Sequence, residues 1–219
     1  PSDMASITAE TILAAYRIGI FPMADSADDP SLFWVDPEMR GIFPLEKFHV
    51  PKRLAKTIRK DPFEVTVDRD FRGVMRACAA PRRDGGETWI NPEILERYGE
   101  LHELGYAHSV ECWQNGELVG GLYGLAFDSV FCGESMFTRV TDASKVALVY
   151  LVARLIHGGY TLLDAQFLNP HLETFGAEEI SREEYQARLR LGLQSLGDFY
   201  SLPEGLSGSD ILQSITQTS

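Results

Sequence analysis

The sequence predicts an α+β fold: a small N-terminal lobe, residues 1–45, then a domain of residues 46–219 in which helices flank a mixed, mostly antiparallel sheet. Three observations carry this prediction. Two strand-like runs, "HSVECW" and "GELVGGLYGLA", flank Asn115-Gly116, the strongest short hairpin signal. A third run, "SVFCGESMF", follows a turn at Asp128 and extends the antiparallel set. After it, the apolar helical stretch "TDASKVALVYLVARLIHGG" leads into another strand, "YTLLDAQFL", so both structural periods alternate in one domain.

The elements follow in order. "TAETILAAYRIGIFP" is a helix with Thr8 as N-cap and Pro22 past its end. "ADSADDP" is an acidic loop rich in breakers, and "LFWVDPEMRGIFPL" is short extended pieces that close the lobe. "PKRLAKTIRK" opens a helix at Pro51. Strand "FEVTVD", helix "FRGVMRACAA", loop "PRRDGGETW" and helix "NPEILERYGELHELG", capped by Asn91, lead to the hairpin. The long apolar helix starts at Thr141 or Asp142 and stops at Gly158-Gly159. A capping box, Ser181 to Glu184, opens the helix "SREEYQARLRLGLQSL". The order strand, helix, helix, three antiparallel strands, helix, strand, helix is the layout of an N-acyltransferase domain of the acetyltransferase (GNAT and Fem) type. That likeness concerns fold and leaves the chemistry open.

Composition narrows the classes. A chain of 219 residues that is 44% hydrophobic and 24% charged has enough apolar material for a real core. No apolar run approaches the roughly 18 residues of a membrane span, and no signal-peptide pattern opens the sequence. Three cysteines without a CxxC pair fit a reduced, cytoplasmic chain with neither a disulfide framework nor a zinc ribbon. The net charge of −12 taken alone argues against nucleic acid as a partner, but nucleic acid binds patches. On a helical wheel Lys52, Arg53, Lys56, Arg59 and Lys60 share one arc of about 120°, with Leu54 and Ile58 opposite. A solvated amphipathic face would be laced with acids. Five cations with none between them read better as a phosphate-facing patch.

The chemistry points away from coenzyme A. A CoA-dependent enzyme needs a glycine-rich loop at a helix N-terminus for the pyrophosphate, and the corresponding stretch, "ESMFTRVTDASK", holds no glycine. The polar residues gather elsewhere. Period-two spacing puts Cys132, Glu134 and Met136 on one face of their strand, and Asp164 with Gln166 on one face of theirs. Carboxylates inside apolar strands are costly and mark a site more readily than a core. Trp89, beside Arg82 and Arg83, is either a packing anchor or a surface that stacks a base. The five histidines show no metal spacing, and no Ser-His-Asp or Cys-His arrangement is present, so neither a metal nor a covalent nucleophile is expected.

Seven stretches, "AYRIGIFPM", "TWI", "LHELGYAHSVECW", "GELVGGLYG", "FCGESMF", "DASKVAL" and "LLDAQFLNPHLETFGA", resemble in order the leucyl/phenylalanyl-tRNA–protein transferases, over about residues 8–190. That family is bacterial and cytoplasmic. It moves Leu or Phe from aminoacyl-tRNA onto proteins with N-terminal Arg or Lys, marking them for N-end rule degradation. The resemblance implies Leu-tRNA and Phe-tRNA as donors, proteins with basic N-termini as acceptors, and no cofactor. It implies an aminoacyl pocket of Leu122, Phe131, Met136, Leu151 and Leu163, and an adenosine grip of Trp89, Tyr16, Tyr98 and Met23. Met23 stands where many members carry Trp. Asp164, Gln166 and Glu134 match the polar trio at the reacting ester, with Asp164 as proton acceptor or orienter on the amine side, Gln166 positioning the amine, and Glu134 fixing the ribose or aminoacyl end. The basic helix would hold the acceptor stem by its phosphates. A CoA-dependent acetyltransferase, a non-catalytic tRNA-binding module and a cell-wall aminoacyl-tRNA transferase are the competing readings. A monomer is the default expectation.

Overall fold

The computed structural model describes residues 7–25, 27–28, 31–80 and 90–216. Helix α1 (Ala9–Arg17) begins at Thr8, whose hydroxyl accepts the Thr11 N–H at 3.1 Å. Strands β1 (Phe21–Met23) and β2 (Phe33–Val35) pair into a two-stranded antiparallel ribbon. Then come β3 (Met39–Phe43), α2 (Lys52–Arg59), β4 (Glu64–Val67), α3 (Phe71–Ala79) and α4 (Pro92–Glu103). Asn91 caps α4 by accepting the Ile94 N–H at 2.8 Å. Strands β5 (Ala107–Gln114) and β6 (Glu117–Phe127) turn at Asn115 and Gly116, with φ of 54° and 78°. Two consecutive positive φ values are what a tight hairpin turn with the strands' own twist demands. Strand β7 (Val130–Thr138), α5 (Ala143–His157), β8 (Leu162–Gln166), α6 (Pro170–Glu173), β9 (Glu178–Ser181), α7 (Arg182–Gly192) and α8 (Gly208–Thr216) complete the chain.

Among the described residues, seven strands form one sheet in the order β4-β5-β6-β7-β8-β3-β9. All neighbours are antiparallel except β7 and β8, which α5 connects as a crossover. This is the helix-flanked mixed sheet the sequence predicts. Successive strand residues alternate between two cores. Leu122, Phe131 and Leu163 pack on one face with α2, α5 and α8, while Tyr123, Cys132 and Leu162 pack on the other with α1, α3, α4 and α7. Helix α5 is apolar nearly all round and is buried accordingly.

One sequence-based placement fails. The stretch "MRGIF" was expected to close the N-terminal lobe, yet it is β3, seated between β8 and β9 inside the main sheet. Strand pairing over more than 120 residues of separation leaves no local trace. Strand β9 and helices α6 and α8 were likewise absent from the sequence reading.

Candidate active site at the splay of β7 and β8

Strands β7 and β8 pair at only three positions, from Val130 opposite Leu162 to Cys132 opposite Asp164. Two local features then drive them apart. On β7, Gly133 pairs with Gly124 and Ser135 with Tyr123, so Glu134 is the extra residue of a β-bulge. On β8, Gln166 turns into the left-handed region at φ 64°. A cavity of about 380 Å³ opens in the gap.

The bulge corrects the period-two reading. It flips the strand's facing, so Cys132 packs in one core while Met136 packs against the other, beside its cross-strand partner Leu122. Glu134 sits at the switch. One arm of the cavity is apolar, lined by Leu122, Met136, Leu151 and Leu163, together with Phe43 and Leu148. Phe131 is a correction: it is fully buried and stacks on Phe199 at 5.9 Å, behind the wall rather than in it.

The other arm is polar, and here the predicted trio converges. The Gln166 side-chain amide donates to both Glu134 oxygens at 3.2 Å. The Asp164 Oδ1 accepts the Gln166 backbone N–H at 2.9 Å. Burial pushes the Glu134 carboxyl up to about 8, against the lowering effect of hydrogen bonds from Tyr16 and Gln166. The Tyr16 hydroxyl donates to Glu134 and stands 2.6 Å from the Tyr98 hydroxyl. These two tyrosines are a second correction. At 1% and 0% exposure neither ring offers a face to a base, and both act as a buried brace under Glu134. Met23 does line the cavity, whereas Trp89 lies outside the described residues. The Cys132 thiol is fully buried, and burial with the neighbouring Asp164 charge pushes it up, which makes it a poor nucleophile.

Sequence reasoning missed Arg40. Its Nε and Nη2 donate to the two Asp164 oxygens at 2.9 and 2.6 Å, and its Nη1 donates to the Gly19 carbonyl at 2.7 Å. Its guanidinium lies 4.8 Å from the Phe21 ring centroid and 4.2 Å from that of Tyr185. Burial works against its charge, but Asp164 outweighs burial and holds the guanidinium protonated. The signal was present as a single cation in an apolar strand and a single acid in another; what was missing was their adjacency.

Helix α2 presents Lys52, Arg53, Lys56 and Arg59, with Lys60 as its C-cap, all exposed, while Leu54 and Ile58 are buried. Among the described residues, no helix is long and apolar enough to cross a membrane.

Comparison with known proteins adds the remaining observation. The family model described as "Leucyl/phenylalanyl-tRNA protein transferase" matches residues 42–190, and that of its N-terminal domain matches residues 5–38. A protein of Phenylobacterium zucineum (strain HLK1) is 56% identical over 99% of this chain and 100% of its own length. Proteins of Rhodopseudomonas palustris (strain HaA2) and Caulobacter vibrioides (strain NA1000 / CB15N) are each 55% identical, over 98% of this chain and 96% and 99% of theirs. All three are named leucyl/phenylalanyl-tRNA–protein transferase. A solved L-PGS from Bacillus licheniformis is 14% identical with a TM-score of 0.39 over 74% of this chain and 51% of its own, too loose a likeness to argue from. With both family models matched across most of its length, the chain belongs to the leucyl/phenylalanyl-tRNA–protein transferases.

Proposed function

We propose that this protein moves a leucyl or phenylalanyl group from charged tRNA onto the α-amino group of proteins beginning with Arg or Lys, marking them for N-end rule degradation. One observation carries the reading: a cavity of about 380 Å³, walled on one side by Leu122, Met136, Leu151 and Leu163, opens directly onto the Glu134–Gln166 pair. Unbranched Leu and Met walls suit two different large side chains and exclude β-branched ones by shape.

The reaction asks little beyond placement. An aminoacyl ester is already activated, so aminolysis consumes no ATP. The amine attacks the carbonyl carbon, a C–N bond forms, and the C–O bond to the ribose breaks. One proton leaves the amine and one arrives on the ribose oxygen, so the step balances without a cofactor. The protein must align the reactants, accept the proton and stabilise the oxyanion. The cationic face of α2 supports phosphate contacts to the acceptor stem, which position the tRNA without reading its sequence. A CoA donor is disfavoured by Asp142, a carboxylate at the α5 N-terminus where a pyrophosphate would otherwise dock.

The test is transfer of radiolabelled leucine from Leu-tRNA to peptides that differ only in their first residue. Label is expected on peptides beginning with Arg or Lys and not on those beginning with Gly or Asp. Equal labelling of all four would overturn the acceptor assignment, and no labelling of any would overturn the function.

A further inference from the structure

Asp164 is the residue expected on the amine side, and the structure commits both of its oxygens. Its Oδ1 accepts from Arg40 Nε and from the Gln166 backbone, its Oδ2 accepts from Arg40 Nη2, and its side chain is fully buried. A bidentate guanidinium partner occupies both oxygens of such a carboxylate. Its lone pairs are committed to structure. What that structure holds is Gln166, whose left-handed backbone a residue with a Cβ does not adopt without support. Gln166 in turn holds Glu134. The order of contact runs from Arg40 through Asp164 and Gln166 to Glu134. Glu134 alone among the two carboxylates has part of its surface uncovered in the cavity.

We infer that Arg40 is a positioning residue that withdraws Asp164 from proton transfer, and that Glu134 takes the proton from the attacking amine. The inference rests on the aminoacyl-transfer reading above. As the C–N bond forms, the amine proton passes to the Glu134 carboxylate. As the C–O bond breaks, that proton passes to the departing ribose oxygen, and Glu134 returns to its starting state. The groups that face Glu134 are Tyr16 from α1, Tyr98 from α4, Tyr123 from β6, Cys132 on its own strand, Asp164 from β8 and Arg40 from β3. The Tyr16 hydroxyl already donates to Glu134, whereas Asp164 is bound by Arg40. Burial among these groups brings the Glu134 carboxyl to about 8, close to an ordinary α-amine near 8, so donor and acceptor are matched.

The experiment has two arms on the intact protein. In the first, infrared difference spectra are recorded from pH 6 to 9 without substrate. A protonated-carboxyl band that fades as pH rises through about 8 is expected in the wild type and in Asp164→Asn, and is expected to vanish in Glu134→Gln. In the second, kcat and KM are measured with Leu-tRNA and an Arg-initiated peptide. Glu134→Gln is expected to lower kcat by about 100-fold or more. Asp164→Asn, which keeps an oxygen for the Gln166 N–H, is expected to lose less. Arg40→Lys, which cannot bridge both oxygens, is expected to lower kcat about 10-fold with KM changed less than about twofold. If Arg40→Lys fails to fold, Arg40→Met with Asp164→Leu removes both charges together; it is expected to keep the infrared band while losing kcat. A band that disappears in Asp164→Asn, or an Asp164→Asn loss larger than that of Glu134→Gln, would overturn the assignment of Glu134. A rise in KM equal to the fall in kcat, in Arg40→Lys or in the double variant, would reduce Arg40 to a purely structural residue. A wild type that transfers nothing yet shows the band would sink the function while leaving the titration of Glu134 intact.

Discussion

Glu134→Gln separates a buried, proton-holding carboxyl from an ordinary one through stability alone. The wild-type carboxyl has a folded-state pKa of about 8 against an ordinary value of 4.5. Because the folded value is the higher one, the native state binds the proton more tightly than the unfolded chain. Below pH 4.5 both states are protonated and no penalty arises; the penalty grows as pH rises and levels off above 8. At 1.36 kcal/mol per unit the full effect is about 5 kcal/mol, of which about 3 kcal/mol falls between pH 5.5 and 9. Glutamine is nearly isosteric and carries no titrating proton, so the variant should lack this slope. Urea unfolding of both proteins at pH 5.5, 7 and 9 measures it. The stability of Glu134→Gln relative to wild type should rise across that range by about 3 kcal/mol. A difference that stays flat would show that Glu134 is already ionised at pH 5.5 and would refute the buried-carboxyl argument.

Three further outcomes follow from the same geometry. Tyr16→Phe removes the hydrogen bond that favours the Glu134 carboxylate, so the carboxyl should titrate higher than in wild type; an infrared titration that moves down contradicts the brace. Lys56→Glu with Arg59→Glu should weaken use of Leu-tRNA far more than use of a leucyl-adenosine analogue. It should also flatten the dependence of log affinity on log salt by about 2, one unit for each lost phosphate contact; equal losses for both donors would sink the phosphate role of α2. Leu151→Phe narrows the apolar arm and should cut kcat/KM for Phe-tRNA about 10-fold or more relative to Leu-tRNA, measured by competition between the two; an unchanged ratio would remove Leu151 from the aminoacyl pocket.

Much of this molecule is written locally, and that part is legible. The Asn115-Gly116 turn, the Thr8, Asn91 and Ser181 caps and the apolar α5 each depend on a few neighbouring residues, and each is found where the spacing puts it. The convergence of Glu134, Asp164 and Gln166 was legible too, because polar residues in apolar strands are costly wherever they fall. What failed depends on strand register. The bulge at Glu134 exists only in the pairing of β6 with β7, so a strict period of two misplaced Met136 relative to Cys132. Arg40 acquires its meaning from the insertion of β3 between β8 and β9, which no window of sequence around residue 40 contains. The resemblance puts Tyr16 and Tyr98 in the adenosine grip, yet α1 and α4 bury both rings and leave only their hydroxyls to the site.

The position of the aminoacyl ester in the β7–β8 splay is measured directly by a crystal structure with a non-hydrolysable leucyl-adenosine analogue. The leucyl side chain should lie among Leu122, Met136, Leu151 and Leu163, with the linkage that replaces the ester within hydrogen-bond reach of Glu134 or Gln166. An analogue bound outside the β7–β8 splay, or one whose leucyl group points away from those four residues, would contradict it.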